Sequence, residues 1–145
     1  MVCETIWGND MRFIAVFICA FISMQSVLAQ TLETIVKPEE FRAISEGKTL
    51  YFYQFGEFYG VEQYFQDGKS IWKPAGGTCE SGRWHSEGNQ ICFEYEDNPI
   101  KSCWNILHSD RGYSARIDGN PAIYDLQLGK ITNDDIECPA PELTS

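Results

Sequence analysis

The sequence predicts a mainly β domain, an antiparallel up-and-down meander or a small β-barrel of about eight strands, preceded by one short helix. Three observations carry this expectation. From Lys48 onward, aromatic and β-branched runs recur about every ten residues, separated by clusters of Gly, Pro, Asn and Asp. The turns between them are too short for crossover connections, so consecutive strands are antiparallel neighbours. Helical punctuation occurs in one segment only, 38–47. Closing such a meander into a barrel would remove its exposed edges.

The chain of 145 residues carries an apolar run at 13–23, preceded by Arg12 and followed by Val27-Leu28-Ala29. This is the pattern of a signal peptide, with small side chains suited to cleavage after Ala29. The run of about 11 residues falls short of the ~20 that a bilayer-crossing helix needs, so no membrane anchor is expected after cleavage. Glu4 and Asp10 are out of place in a positive leader, which makes Met11 a candidate start. Cys19 lacks the small preceding residues of a lipid-attachment site. Residues 1–29 are therefore read as leader and 30–145 as a single domain, long enough to bury roughly 65% of its unfolded surface. Neither an internal repeat nor a low-complexity linker divides it.

In the domain, Pro38 suits the first helical position, Glu39 and Glu40 suit its positive end, and Gly47 suits the stop. Phe41 and Ile44 share a face that two apolar residues cannot stabilise in water alone, so it should lie on the sheet, over the second face of the aromatic hairpin that follows. Strands are expected at 48–55, 58–66, 69–73, 79–85, 90–95, 100–107, 113–117 and 122–128, with turns between them. The tail after 132 has prolines and no periodicity, and should be loose beyond Cys138.

Removing the leader leaves Cys79, Cys92, Cys103 and Cys138, an even count that favours disulfides in an exported chain. Setting Cys92 opposite Cys103 also sets Glu94 opposite Lys101 and Tyr95 opposite Ile100, and gathers Ile91, Phe93, Trp104 and Ile106 on one face. A one-residue slip would turn every one of these to the wrong side. Pro99 cannot donate the bond that closes a two-residue turn, so a four-residue loop, 96–99, is expected. Cys79 with Cys138 follows by elimination; in the chain-entropy model the Cys92–Cys103 link contributes about 2–3 kcal/mol and the Cys79–Cys138 link about 4 kcal/mol.

Candidate chemistry is sparse. A metal set of Cys79, His85, Cys92 and Cys103 has spacings of 6, 7 and 11, unlike the short paired spacings of structural zinc sites, and no metal or cofactor is assigned. His85, Ser86 and Asp110 form no recognisable nucleophile motif, and no catalytic residue is assigned. Glu57, Glu62, Glu80, Glu87, Glu94 and Glu96 offer carboxylate pairs for sugar hydrolysis, although such residues usually line the wet face of a sheet. Trp72, Trp84 and Trp104 are expected in the core, with Gly82 allowing a bulge or close packing. The aromatics of 51–65 occupy both faces of one hairpin, so Tyr51, Tyr53, Phe55, Phe58 and Tyr64 are the candidate binding surface.

In GKTLYFY (47–53), YGVEQYFQDGKSIW (59–72), GGTCESGRW (76–84) and ICFEY…CW (91–104), the chain resembles a group of small exported proteins of Gram-negative bacteria that have no assigned function. The resemblance spans 38–138 and implies a compact, secreted, sheet-rich domain with these glycines, tryptophans and cysteines as framework. A net charge of −10 excludes nucleic acid as a natural partner. The expected function is a non-enzymatic binding module, periplasmic or secreted, for a basic protein or a small apolar or sugar ligand. The alternatives are an envelope-sugar hydrolase and a structural part of an envelope assembly.

Overall fold

The computed structural model describes residues 32–138. The leader, with Met11, Cys19 and the cut after Ala29, lies outside the described residues, as does the tail beyond Cys138. The elements are β1 (Thr34–Ile35), α1 (Pro38–Ser45), β2 (Thr49–Gln54), β3 (Glu57–Tyr64), β4 (Lys69–Pro74), β5 (Glu80–Glu87), β6 (Gln90–Tyr95), β7 (Asn98–Ser109), β8 (Gly112–Ile117) and β9 (Leu126–Thr132), with a 3-10 turn at Ala122–Tyr124. Each strand from β2 to β9 pairs antiparallel with the next, and β9 returns to β2. The meander is thus a closed barrel of eight strands, with β1 added outside on β7. No helix among the described residues is long and apolar enough to cross a membrane.

The helix begins where Pro38 sets φ and the Glu40 carboxylate accepts the Lys37 N–H at 2.9 Å. It ends at Gly47, whose φ of 72° suits a residue without a Cβ. Its apolar face does not cover the outside of the β2–β3 hairpin, contrary to expectation. Phe41 instead enters the barrel's end, edge-to-face with Tyr64 at 5.5 Å and Trp84 at 5.8 Å. The reason is connectivity, because residues 46–48 are too few to carry α1 anywhere but over the end where β2 starts and β3 finishes. That end is closed; the other carries the Phe55-Gly56 and Glu96-Asp97 turns and the 118–125 loop, and forms the mouth.

What covers part of the outer hairpin face is the segment 133–138. Thr49 Oγ1 donates to the Asp134 carbonyl at 2.6 Å, the Ile136 N–H donates to Gln63 Oε1 at 3.1 Å, and Lys73 Nζ donates to the Glu137 carbonyl at 2.7 Å. The Cys79–Cys138 disulfide fastens its end beside the start of β5.

The second disulfide joins Cys92 to Cys103 across β6 and β7, with Cα atoms 4.0 Å apart, as the register argument requires. The pairing slips between Phe93 and Tyr95, however, so Tyr95 faces Asn98 and the turn is the two residues Glu96-Asp97 rather than 96–99. Asn98 has the N–H that Pro99 lacks, and placing it opposite Tyr95 lets a tight turn close. The slip leaves Ile100 71% exposed and undoes the expected Glu94–Lys101 pair; Lys101 Nζ bonds Glu87 at 2.5 Å instead.

The last strand is also displaced, to Leu126–Thr132 rather than 122–128. Arg116 on β8 grips buried Asp125 with both arms of its guanidinium at 2.6 Å and reaches Glu33 at 3.0 Å. The chain after Pro121 therefore makes a 3-10 turn and is pinned at Asp125 before β9 can begin.

Candidate functional site

An eight-stranded barrel is just wide enough for side chains to fill, so any cavity inside needs small residues at in-facing positions. Among those of this barrel are Gly60, Ser70, Gly82, Ser102 and Ala115, each paired with another in-facing residue. Two of them, Ser102 and Ala115, line a cavity of about 330 Å³ that runs from the helix-plugged end toward the mouth. Tyr64 lines it at the helix-plugged end, where β3 finishes, Ile106, Ala115 and Leu126 line its side, and Tyr59, Pro74, Glu80 and Asn98 line it at the mouth.

The glycines work by letting aromatic rings lie against the wall. A Cβ on Gly60 would stand 2.2 Å from the Trp72 ring, and one on Gly82 would stand 2.6 Å from the Tyr95 ring. Tyr59 arrives by another device. Phe52 pairs with Gly60 and Tyr53 with Phe58, so Tyr59 is the extra residue of a bulge, which aims its ring to within 5.9 Å of Trp72. Phe52, Phe93 and Trp104 complete the aromatic wall. Gly60→Ala is expected to cost about 1–3 kcal/mol in urea unfolding and to drive the Trp72 ring into the cavity; an unchanged midpoint would contradict this packing.

In this aromatic wall sits Glu62, 4% exposed. The Tyr95 hydroxyl donates to its Oε1 at 2.9 Å, and the Tyr64 hydroxyl donates to Oε2 at 3.4 Å. Ser70 stands beside it on β4, but its hydroxyl makes no hydrogen bond of ordinary geometry. Burial disfavours the charged carboxylate more than these neighbours favour it, and pushes its pKa up to about 7. The same burial, with the carboxylate alongside, holds both tyrosine hydroxyls well above their usual value. Among the described residues, no lysine or arginine forms an ion pair with Glu62.

Of the six candidate carboxylates, the fold brings Glu62 and Glu80 into this cavity and leaves Glu57, Glu87, Glu94 and Glu96 exposed. Glu62 pairs with Trp72 and Trp72 with Glu80, so the two share one row of the sheet, with Cα atoms about 10 Å apart by two inter-strand steps. A signal for Glu62 was present in the sequence: it lies two residues from Tyr64, and period-2 alternation puts both on one face.

The aromatic residues of the candidate surface are dispersed. Tyr64 is fully buried beneath the helix, on the floor of the cavity. Tyr51, Tyr53 and Phe58 form an outer patch, with Phe58 centred 6.4 Å from Tyr51 and 5.8 Å from Tyr53, and Lys130 Nζ 5.0 Å from the Tyr51 ring. Phe55, 64% exposed, caps the β2–β3 turn and leans on Tyr124 at 5.9 Å.

His85, Glu87 and Cys92 converge within 4.8 Å of one another. The Cys92 sulfur is bonded to Cys103, and Glu87 already holds Lys101 at 2.5 Å and the His85 ring at 2.9 Å. That leaves two ligands for a metal, fewer than a structural zinc site requires. The His85 ring bonds Glu87 through Nε2 at 2.9 Å. Trp84 is buried under Phe41 and Arg42, whereas Trp72 and Trp104 are partly buried and face the cavity.

Comparison of the chain with models of known families, with curated proteins and with solved structures finds no match.

Proposed function

We propose that the barrel is a non-enzymatic binding module whose ligand is a small molecule with an apolar body, taken up through the mouth. The observation that carries this reading is the cavity: its volume of about 330 Å³ suits a small molecule, and aromatic rings dominate its wall. Two disulfides point to an oxidising, non-cytoplasmic compartment. The leader pattern of 11–29 and the resemblance to small exported proteins support export to the periplasm or the medium.

Neutral indole, titrated into the protein and followed by NMR at the in-facing Ala115 methyl, tests the reading. Saturable shifts are expected, and Ser102→Phe, which fills the cavity, should weaken binding more than tenfold while the barrel's circular dichroism is kept. Shifts confined to the outer Tyr51, Tyr53 and Phe58 patch would move the binding site to the surface and favour a protein partner.

The hydrolase reading retains one specific observation, the Glu62–Glu80 row across Trp72. Retaining and inverting glycosidases place their carboxyl groups roughly 5–10 Å apart. Turnover of chromogenic glycosides that is lost in both Glu62→Gln and Glu80→Gln would establish it.

A further inference from the structure

We infer that the molecule this cavity takes is an organic cation, a protonated or quaternary amine on a small hydrocarbon body, with Glu62 as its counter-ion. The inference rests on the cavity being a ligand site and adds the chemistry of what enters it.

The wall offers one kind of charge. Among its described residues are two carboxylates, Glu62 and Glu80, and no lysine, arginine or histidine. An anionic guest would find no partner and two repelling groups. A purely apolar guest would leave the carboxylate in its aromatic surroundings with neutral hydroxyls alone, those of Tyr95, Tyr64 and Ser70, an expensive residue at a position where leucine would serve.

Glu62 also has acceptor capacity to spare. A carboxylate can take about four hydrogen bonds. Its Oε1 accepts from Tyr95, its Oε2 has the long contact from Tyr64, and the Ser70 hydroxyl stands beside it, which still leaves fewer than four donors. An ammonium entering from the mouth meets Glu80 first and Glu62 deeper in. The wall also carries Trp72, Trp104 and Tyr59, ring types that attract cations. The whole-molecule charge of −10 raises the local concentration of cations near the surface.

The surroundings of Glu62 also predict a pH dependence. The titratable groups near it are Tyr64 on its own strand, Tyr95 on β6 and Glu80 on β5; β2 contributes Leu50, and β4 contributes Ser70 and Trp72. Both tyrosine hydroxyls stay protonated at any ordinary pH. Ionisation of Glu62 is therefore the step that binding a cation must drive, and uptake below its pKa releases a proton from the carboxyl group to solvent.

The experiment compares benzyltrimethylammonium with its neutral isostere neopentylbenzene, by NMR titration of the Ala115 methyl. At pH 8 the cation should bind at least tenfold more tightly, and its affinity should fall about tenfold between pH 8 and pH 6 while that of the isostere holds. Glu62→Gln should abolish the cation's tenfold advantage over the isostere and its pH dependence. Equal binding of both compounds to the wild type, or a cation preference that survives Glu62→Gln, overturns the cation inference and leaves the cavity reading standing. Failure of both compounds while indole binds overturns it likewise; failure of indole as well ends the cavity reading too.

Discussion

Replacing Phe41 with alanine is expected to lower the free energy of unfolding by about 3–5 kcal/mol, the range for removing a buried aromatic ring from a well-packed site. Phe41 is 2% exposed and joins the helix to the barrel through Tyr64 and Trp84, both in edge-to-face contact with it. An eight-residue helix has too few turns to stand alone in water, so without this ring α1 loses the contact that holds it folded. The loss should be cooperative, because Trp84 and the floor residue Tyr64 then face solvent. Against a typical total of about 5–15 kcal/mol, this is enough to populate unfolded chain at moderate temperature. Urea unfolding followed by Trp84 emission would measure both effects. A loss below about 1 kcal/mol would mean that the helix is a loose cover and not the plug of the barrel.

A second large effect belongs to Glu62 and depends on pH. Its pKa in the folded protein is raised to about 7, while the unfolded chain keeps the ordinary value near 4.5. Between these values the folded state binds the extra proton, so stability falls as pH rises through the window and levels off above about 7. The full difference is about 3 kcal/mol, at roughly 1.4 kcal/mol for each pKa unit. Glu62→Gln keeps an acceptor for the Tyr95 hydroxyl and removes the charge. The variant should match the wild type near pH 4.5 and exceed it by up to about 3 kcal/mol at pH 8. Parallel stability profiles for the two proteins between pH 4.5 and pH 8 would show that the carboxylate is ionised in the fold at little cost. Stability sacrificed at neutral pH by one buried side chain is a mark of a functional position, because a neutral residue would be better for folding alone.

These two residues differ in how far the sequence announces them. The helix ends at Pro38 and Gly47 follow from the chemistry of a missing N–H and a missing Cβ, and the Phe41–Ile44 spacing shows which face is apolar. What that face covers is another matter, decided by the three residues between α1 and β2 and by where β3 and β5 end. Glu62 shares its alternation with Tyr64, but alternation has no sign until one face of the hairpin is known to be the inside. The aromatic residues on both faces of the β2–β3 hairpin left that choice open, and barrel closure made it: Phe52, Glu62 and Tyr64 went in, and Tyr51, Tyr53 and Phe58 went out.

Cys92 and Cys103 show the same boundary inside a single hairpin. Their pairing was legible because an apolar face and a cysteine pair agreed on one register, and both are fixed by nearest neighbours across a short turn. The slip beyond Phe93 was not legible, because it trades a ladder pair for a tight turn, a balance of small backbone energies that side-chain pattern does not report. The bulge at Tyr59 and the 3-10 turn before Asp125 belong to the same class, as does β1, whose two residues pair with β7 far along the chain.

Periodicity, turn residues and cysteine count were thus sufficient for the class of fold, the order of strands and the Cys92–Cys103 disulfide, because each depends on interactions between residues close in sequence, and Cys79–Cys138 then followed by elimination. Closure of β9 on β2, the plugging of one end by α1, the strap of 133–138 and the cavity with Glu62 in its wall depend on contacts between distant segments. Such contacts form only when the whole sheet curls, and the volume left inside is a difference between many side chains and one enclosed space, which no local stretch of sequence contains.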